Sequence, residues 1–288
     1  AAPAAAAAVA TRAAFERAIS LEDWPLLSSH VINGRAVLPT ALITEMLGHG
    51  ALHGQPGLSY HGLDNLRIYK GVLLRAEQSS ALKVLAGKPV KRDGLLIVPV
   101  ELRGENGVLH AGASVVLTAK LPAAPSPSAP LAGRAQTAAA ETLYGEALFH
   151  GPEMRFIKKL SALEEQGVSI DCTAAPPPKQ WLRHPWRDRW LGAPGALDAA
   201  FQAMIVWTTR HMGAPALPSF AARYRQYAAF PASGAAVVCR VTSRAEGMAR
   251  ADIEFLDESG RLVARLEGYE CTVDASLAGA FRRAAVEA

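Results

Sequence analysis

No stretch of the sequence approaches the roughly 20 consecutive apolar residues that a membrane-crossing helix requires, so no such span is expected. The alanine-rich start has neither the basic segment nor the leucine-rich segment of a secretory signal, and export is not expected. Cysteine is scarce. Cys172, Cys239 and Cys271 are far apart, odd in number and in no metal-like spacing, which points to reduced thiols in a cytoplasm rather than to a disulfide framework. Runs of lysine and regular aromatic interleaving are also missing, so a nucleic-acid groove is excluded as an expectation. The formal net charge is only +4.

Arginines do gather in one region. Arg183, Arg187 and Arg189 crowd the segment WLRHPWRDRW, and Arg210, Arg223 and Arg225 follow. Such a patch suits docking of an acidic protein, and a solvated arginine-rich surface is the other reading.

Half of the 288 residues are hydrophobic, enough for a sizeable core. AAPAAAAAVA at the start has too little side-chain variety to build one and reads as a linker ahead of an excised domain. A second break, rich in Ala, Pro and Ser, runs from Leu121 to Ala140 and leaves two pieces of similar size. These pieces repeat. ELRGENGVLHAGASVVL matches EFLDESGRLVARLEGYECTV, each reading as a hairpin, with Glu105-Asn106-Gly107 and Glu258-Ser259-Gly260 as the turns. An offset of 153 residues carries Glu45 to Asp198 and His49 to Gln202, each pair in an apolar helix-like run.

Each half then reads as one helix followed by several strands. In the first the strands run approximately over 62–75, 81–86, 95–103 and 108–119. In the second they run over 218–230, 235–243, 249–256 and 261–273. A helix without a wide polar face is one that a curved sheet wraps. The expected architecture is α+β, a double hotdog: two antiparallel curved sheets, each wrapping a central helix, joined as a pseudo-dimer. The expected boundaries are a linker over 1–11, hotdogs over 12–120 and 141–275, the 121–140 linker between them, and a C-terminal linker over 276–288.

Before the first helix stands HVINGRAVLP, in which His30, Gly34 and Pro39 fit H-x3-G-x4-P. Later come Leu148-Phe149-His150-Gly151-Pro152, Leu197-Asp198-Ala199-Ala200-Phe201-Gln202 and Leu217-Pro218. In this order the four segments resemble the signature of the dehydratase domains of polyketide synthases and polyunsaturated fatty-acid-type synthases, over about 21–273. The resemblance implies that a 3-hydroxyacyl thioester on an acyl carrier protein loses water to give a 2-enoyl thioester. It also implies that the histidine is the catalytic base, with no metal and no cofactor beyond the carrier's phosphopantetheine. The implied partners are the carrier protein and neighbouring synthase domains, with a homodimer formed through the parent synthase.

Elimination of water needs a base for the α-proton and an acid for the departing hydroxyl. His30, with an ordinary imidazole pKa near 6.5, suits the first task, and Asp198 in the apolar run GALDAAFQAM suits the second, since burial favours a protonated carboxyl. One residue performing both transfers in sequence is the other possibility. Gln202, one helical turn on, either orients the carboxyl or binds the substrate hydroxyl. Tyr144, His150, Gly151 and Pro152 are further candidates for substrate binding; where relatives carry tyrosines, this chain has Phe149-His150, and Met154 stands where a phenylalanine is common.

Glu45, His49 and His53 recur every four residues and are read as packing rather than metal ligands. Two same-fold alternatives are a product-template cyclase and a double-bond isomerase, and a third reading is a non-catalytic carrier-binding scaffold. Backbone amides at Gly34 and in the first turn after Pro39 are the expected oxyanion donors. On that reading Gly34→Val impairs turnover more than folding, as paired activity and melting measurements would show.

Overall fold

The computed structural model describes residues 11–131 and 140–283. The N-terminal half contains β1 (Thr11–Ser20), β2 (Val31–Ile32), β3 (Arg35–Val37), α1 (Thr40–Leu52), β4 (Ser59–Ile68), β5 (Leu73–Leu74), β6 (Ser79–Gly87), β7 (Val90–Arg92), β8 (Leu95–Arg103) and β9 (Leu109–Thr118). After the linker follow α2 (Ala140–Glu146), β10 (Ile157–Glu164), β11 (Gly167–Cys172), α3 (Pro178–Trp181), α4 (Pro194–Met212), β12 (Ala216–Gln226), β13 (Ala235–Ala245), β14 (Met248–Leu256), β15 (Leu262–Val273) and α5 (Leu277–Arg282).

The two halves build one antiparallel sheet in the order β1-β6-β8-β9-β4-β12-β15-β14-β13-β11-β10, with β7 on β8. The halves join where β4 pairs with β12, Leu63 opposite Tyr224 and Arg67 opposite Phe220. Gly62 makes that approach possible: its φ is +151°, and a Cβ there would stand 1.9 Å from the Tyr224 carbonyl oxygen. Across the same seam the buried Arg225 guanidinium pairs with Asp64 at 2.8 Å and donates to the Leu63 carbonyl. Arg225 is therefore a structural cation and not part of a surface patch. Of the other clustered arginines, Arg183 pairs with Glu22 and Arg223 with Glu267.

Each half of the sheet wraps one helix. Every residue of α1 from Ala41 to Leu52 is buried, as is α4 from Pro194 to Thr208, which is why neither shows a polar stripe in sequence. The expected hairpins form between β8 and β9 and between β14 and β15, with Asn106, Gly107 and Gly260 at positive φ in their turns.

Strands also precede each helix, which differs from the expected order of helix first. β1 escapes a reading by periodicity because TRAAFERAIS alternates poorly and lies at a sheet edge. β10 and β11 likewise precede α4. The 276–288 linker is corrected in part: 277–282 is helical and packs Phe281 against Phe149, ring centroids 4.4 Å apart. Within the 121–140 linker, 121–131 has no regular structure, yet Ser128 donates to the Glu254 carboxylate and so ties the crossing to β14. The first ten residues of the 1–11 linker lie outside the described residues, and Thr11 already belongs to β1. No helix among the described residues is long and apolar enough to cross a membrane.

Gly62→Ala should separate the halves at their join, lowering stability by about 2 kcal/mol or more through overpacking against backbone; a thermal melt of the variant beside the parent measures it.

Candidate active site

The H-x3-G-x4-P segment is a hairpin whose purpose is to hold an imidazole. β2 and β3 pair with Val31 opposite Ala36 and Ile32 opposite Arg35, leaving Asn33 and Gly34 as a two-residue turn with φ of 52° and 75°. Positive φ at both positions is what the twist-matched tight turn demands, and Asn-Gly is its preferred pair. The hairpin returns the Val37 carbonyl to the His30 ring, where Nδ1 approaches it at 2.7 Å. Because a carbonyl only accepts, Nδ1 carries the proton and Nε2 keeps its lone pair. Burial holds the His30 pKa down, to about 4, against the opposing Val37 hydrogen bond, so the ring is neutral at ordinary pH.

Asp198 comes from the other half, on the first turns of α4. Burial raises its pKa to about 7, and the hydrogen bond from Gln202 opposes the rise. Gln202 donates from Nε2 to Asp198 Oδ2 at 2.6 Å and to the Met154 carbonyl at 2.8 Å. Its Oε1 accepts from the Tyr144 hydroxyl at 2.8 Å, and that hydroxyl accepts from the Ile157 amide. Gln202 is fully buried, does not border this cavity and bonds the carboxyl directly, a placement that fits the first of its two expected roles, orientation of Asp198. Tyr144 stands behind Gln202 and does not border this cavity; it borders a neighbouring one with Phe149, His150 and Gly151.

His150 completes the cluster. Its Nε2 lies 3.6 Å from Asp198 Oδ2, its ring is 5.2 Å from that of His30, and its Nδ1 has no partner among the described residues. Burial first, and neighbouring His30 second, keep it well below the ordinary imidazole pKa. His30, His150 and Asp198 border one cavity of about 140 Å³, walled by Val37, Ile43, Ile68, Phe149, Phe201 and Leu217 among others. The apolar wall residues escape sequence reasoning because only the fold separates a wall from ordinary core; Leu217-Pro218 reads in sequence solely as a strand start.

Two expected glycine roles change. The Gly34 amide donates to the Arg283 carbonyl at 3.1 Å and Gly34 does not border the cavity, so it is no oxyanion donor. Its φ makes Gly34→Val a folding defect first, which reverses the expected order of effects. The Gly151 amide donates to the Ser29 carbonyl at 2.8 Å, and a Cβ at Gly151 would lie 2.9 Å from Ser29 Cα. Gly151 thus lets the His150 segment press against the residue before His30, and Pro152 opens the short 3-10 turn that presents Met154. Pro39 is the N-cap of α1, one position before the expected first turn, and its carbonyl accepts from Leu42 and Ile43.

Among the described residues, the ring nitrogens of His30 and His150 and a carboxylate oxygen of Asp198 come within 4.8 Å of one another, the one such group able to hold a metal ion. Of Glu45, His49 and His53, the first two meet, His49 Nε2 lying 3.7 Å from Glu45 Oε2, while Glu45 also accepts from two backbone amides, His49 stacks on Trp186, and His53 is exposed. All three cysteines are buried free thiols.

A neutral imidazole and a proton-holding carboxyl facing one apolar cavity, each from a different hotdog, define a proton-transfer site in a double hotdog fold. The sequence model of the polyketide synthase dehydratase N-terminal domain matches residues 122–278, more than half of the 288-residue chain. The chain belongs to the polyketide synthase dehydratase family. It is also 28% identical over 253 residues to a polyunsaturated fatty acid synthase subunit of Thraustochytrium sp., covering 85% of this chain and 9% of that protein.

Solved structures agree in fold. The dehydratase domain from the CurF module of curacin polyketide synthase superposes with a TM-score of 0.69 at 16% identity, over 90% of this chain and 93% of that one. A trans-AT polyketide synthase dehydratase domain from Brevibacillus brevis gives 0.69 at 19% identity, with the same coverage. The dehydratase domain of PpsC from Mycobacterium tuberculosis, in complex with C12:1-CoA, gives 0.68 at 18%, over 90% and 93%.

A carboxyl with a raised native pKa binds its proton where the unfolded chain has already released it, so stability falls as pH rises from the ordinary Asp pKa to about 7. Asp198→Asn should remove that slope and melt above the parent at pH 8, which melting curves across pH would show.

Proposed function

We propose that this domain removes water from a 3-hydroxyacyl thioester, presented on the phosphopantetheine of an acyl carrier protein, to give a 2-enoyl thioester. The observation that carries the reading is the pairing of His30 with Asp198 across one cavity, with their pKa values moved in opposite senses by burial. The PpsC domain, similar in fold, was solved with an acyl-CoA, a thioester of the same kind.

The substrate α-carbon sits against His30 Nε2, whose lone pair takes the proton as the C–O bond to the 3-hydroxyl breaks. Asp198 gives that oxygen its proton, so the group leaves as water, and the electron pair of the C–H bond becomes the new π-bond. Gln202 and Tyr144 hold the carboxyl at its donating angle. His150, with its unpartnered Nδ1, binds the 3-hydroxyl where relatives use tyrosine. The thioester oxygen is received at the start of α1, where Thr40 borders the cavity; the Leu42 and Ile43 amides are taken by the Pro39 carbonyl, which leaves those of Thr40 and Ala41 as the donors. No step needs a cofactor beyond the carrier's own arm. In a full synthase the carrier and neighbouring domains are the partners, and a cytoplasmic setting fits three free thiols.

Loss of water from a synthetic 3-hydroxyacyl thioester, followed by mass, is the direct test, and a cyclised or shifted product with no loss of water would replace the reading by the cyclase or isomerase. His30→Phe and Asp198→Asn should each lower kcat by about 10²-fold or more; unchanged turnover in both would overturn their assignment as base and acid, and no turnover in the parent would leave the scaffold reading. The base is competent above about pH 4 and the acid below about pH 7. kcat/KM should therefore hold between those limits and fall on the alkaline side as Asp198 ionises, a limb that Asp198→Asn abolishes.

A further inference from the structure

The pseudo-twofold relation that builds one active cavity from His30 and Asp198 also creates its counterpart on the other side of the seam. There Glu45 of α1 occupies the place that Asp198 holds on α4, facing the loop ahead of α4 as Asp198 faces the loop ahead of α1. The arrangement is not repeated in the same form: the imidazole beside Glu45 is His49 of its own helix, Nε2 3.7 Å from Oε2. Glu45 accepts the Leu191 amide at 3.0 Å and the Gly192 amide at 2.6 Å, so backbone closes over the carboxyl. His184, ten residues before Pro194, is exposed, with its carbonyl turned to Arg17.

Space remains beside that loop. One cavity of about 590 Å³ is walled by Ala175, Pro177, Trp190 and Phe230, and a second of about 550 Å³ reaches Tyr60, Arg187 and Arg189. Gln226, Trp190, Leu191 and Ala229 border both. Two residues that border them carry buried polar atoms without a partner among the described residues: Gln226, whose Oε1 needs a donor, and Tyr60, through its hydroxyl. Unpaired polar atoms at such depth cost free energy unless a ligand or water satisfies them. Two exposed guanidiniums with one carboxylate, Asp188, give the rim a net positive charge.

A ligand fitting these demands has an apolar chain for the proline and aromatic wall, an amide N–H for Gln226, a carbonyl for Tyr60 and an anionic end for Arg187 and Arg189. An acylated phosphopantetheine arm has all four. We propose that the two cavities beside this counterpart position form a second, non-catalytic binding site for acyl-phosphopantetheine, holding an acyl arm outside the reactive cavity. The choice of ligand rests on the dehydratase reading; the existence of the site does not.

The test uses decanoyl-phosphopantetheine with an amide in place of the thioester, which lacks the 3-hydroxyl and is inert to elimination, titrated calorimetrically into the whole domain. Ala229→Trp alters an exposed residue bordering both cavities, and Gln226→Leu removes the unpaired acceptor without charge. The expected result is that binding stoichiometry falls by one equivalent in Ala229→Trp and that Gln226→Leu weakens the same event. Turnover of a 3-hydroxyacyl thioester should stay within about twofold of the parent in both. A stoichiometry unchanged by Ala229→Trp, including no binding in either protein, overturns the second site. Absence of dehydration in the parent protein overturns the dehydratase reading instead.

Discussion

Everything about this site depends on the antiparallel pairing of β4 with β12. That single seam merges two sheets into one and sets the two wrapped helices side by side, so that a histidine from one half reaches a carboxyl from the other. The chain enforces the seam by a glycine with no room for a side chain and by a buried guanidinium that bonds across it. Removing either partner of that ion pair would leave an uncompensated buried charge, which is why Arg225 and Asp64 act as structural and not as docking charges.

Burial that stabilises the fold also tunes the chemistry. His30 is kept neutral and Asp198 kept protonated by the same loss of water, one group moving down and the other up. An isolated polar residue at these depths would only cost stability. Here each is paired: His30 to Val37, Asp198 to Gln202, Gln202 to Tyr144 and Met154. One polar atom of the cluster, His150 Nδ1, has no partner among the described residues.

Duplication accounts for the cavity between the halves. Two related halves create two equivalent positions beside the seam, but only one received an imidazole locked by a hairpin. At the other, the loop before α4 directs its amides to Glu45, so a carboxyl at the matching position of the repeat becomes a fold contact, with its own pKa raised by burial to about 7.

Sequence alone determined the repeat, the two apolar helices and the paired turns, because these follow from periodicity, turn chemistry and spacing that survive in one dimension; His30 and Asp198 stood out through the resemblance of their motifs to those of the dehydratase family. Edge strands such as β1, with weak alternation, did not follow from it, nor did the cavity wall, whose apolar residues look like any other core. Only the tertiary structure decided what the glycines do. Gly34 is a turn residue whose amide is taken by Arg283, Gly151 is a contact with Ser29, and Gly62 is a seam. The reason is physical: a residue type states which hydrogen bonds and conformations are available, whereas the partner that uses them lies on a distant segment that folding alone brings near.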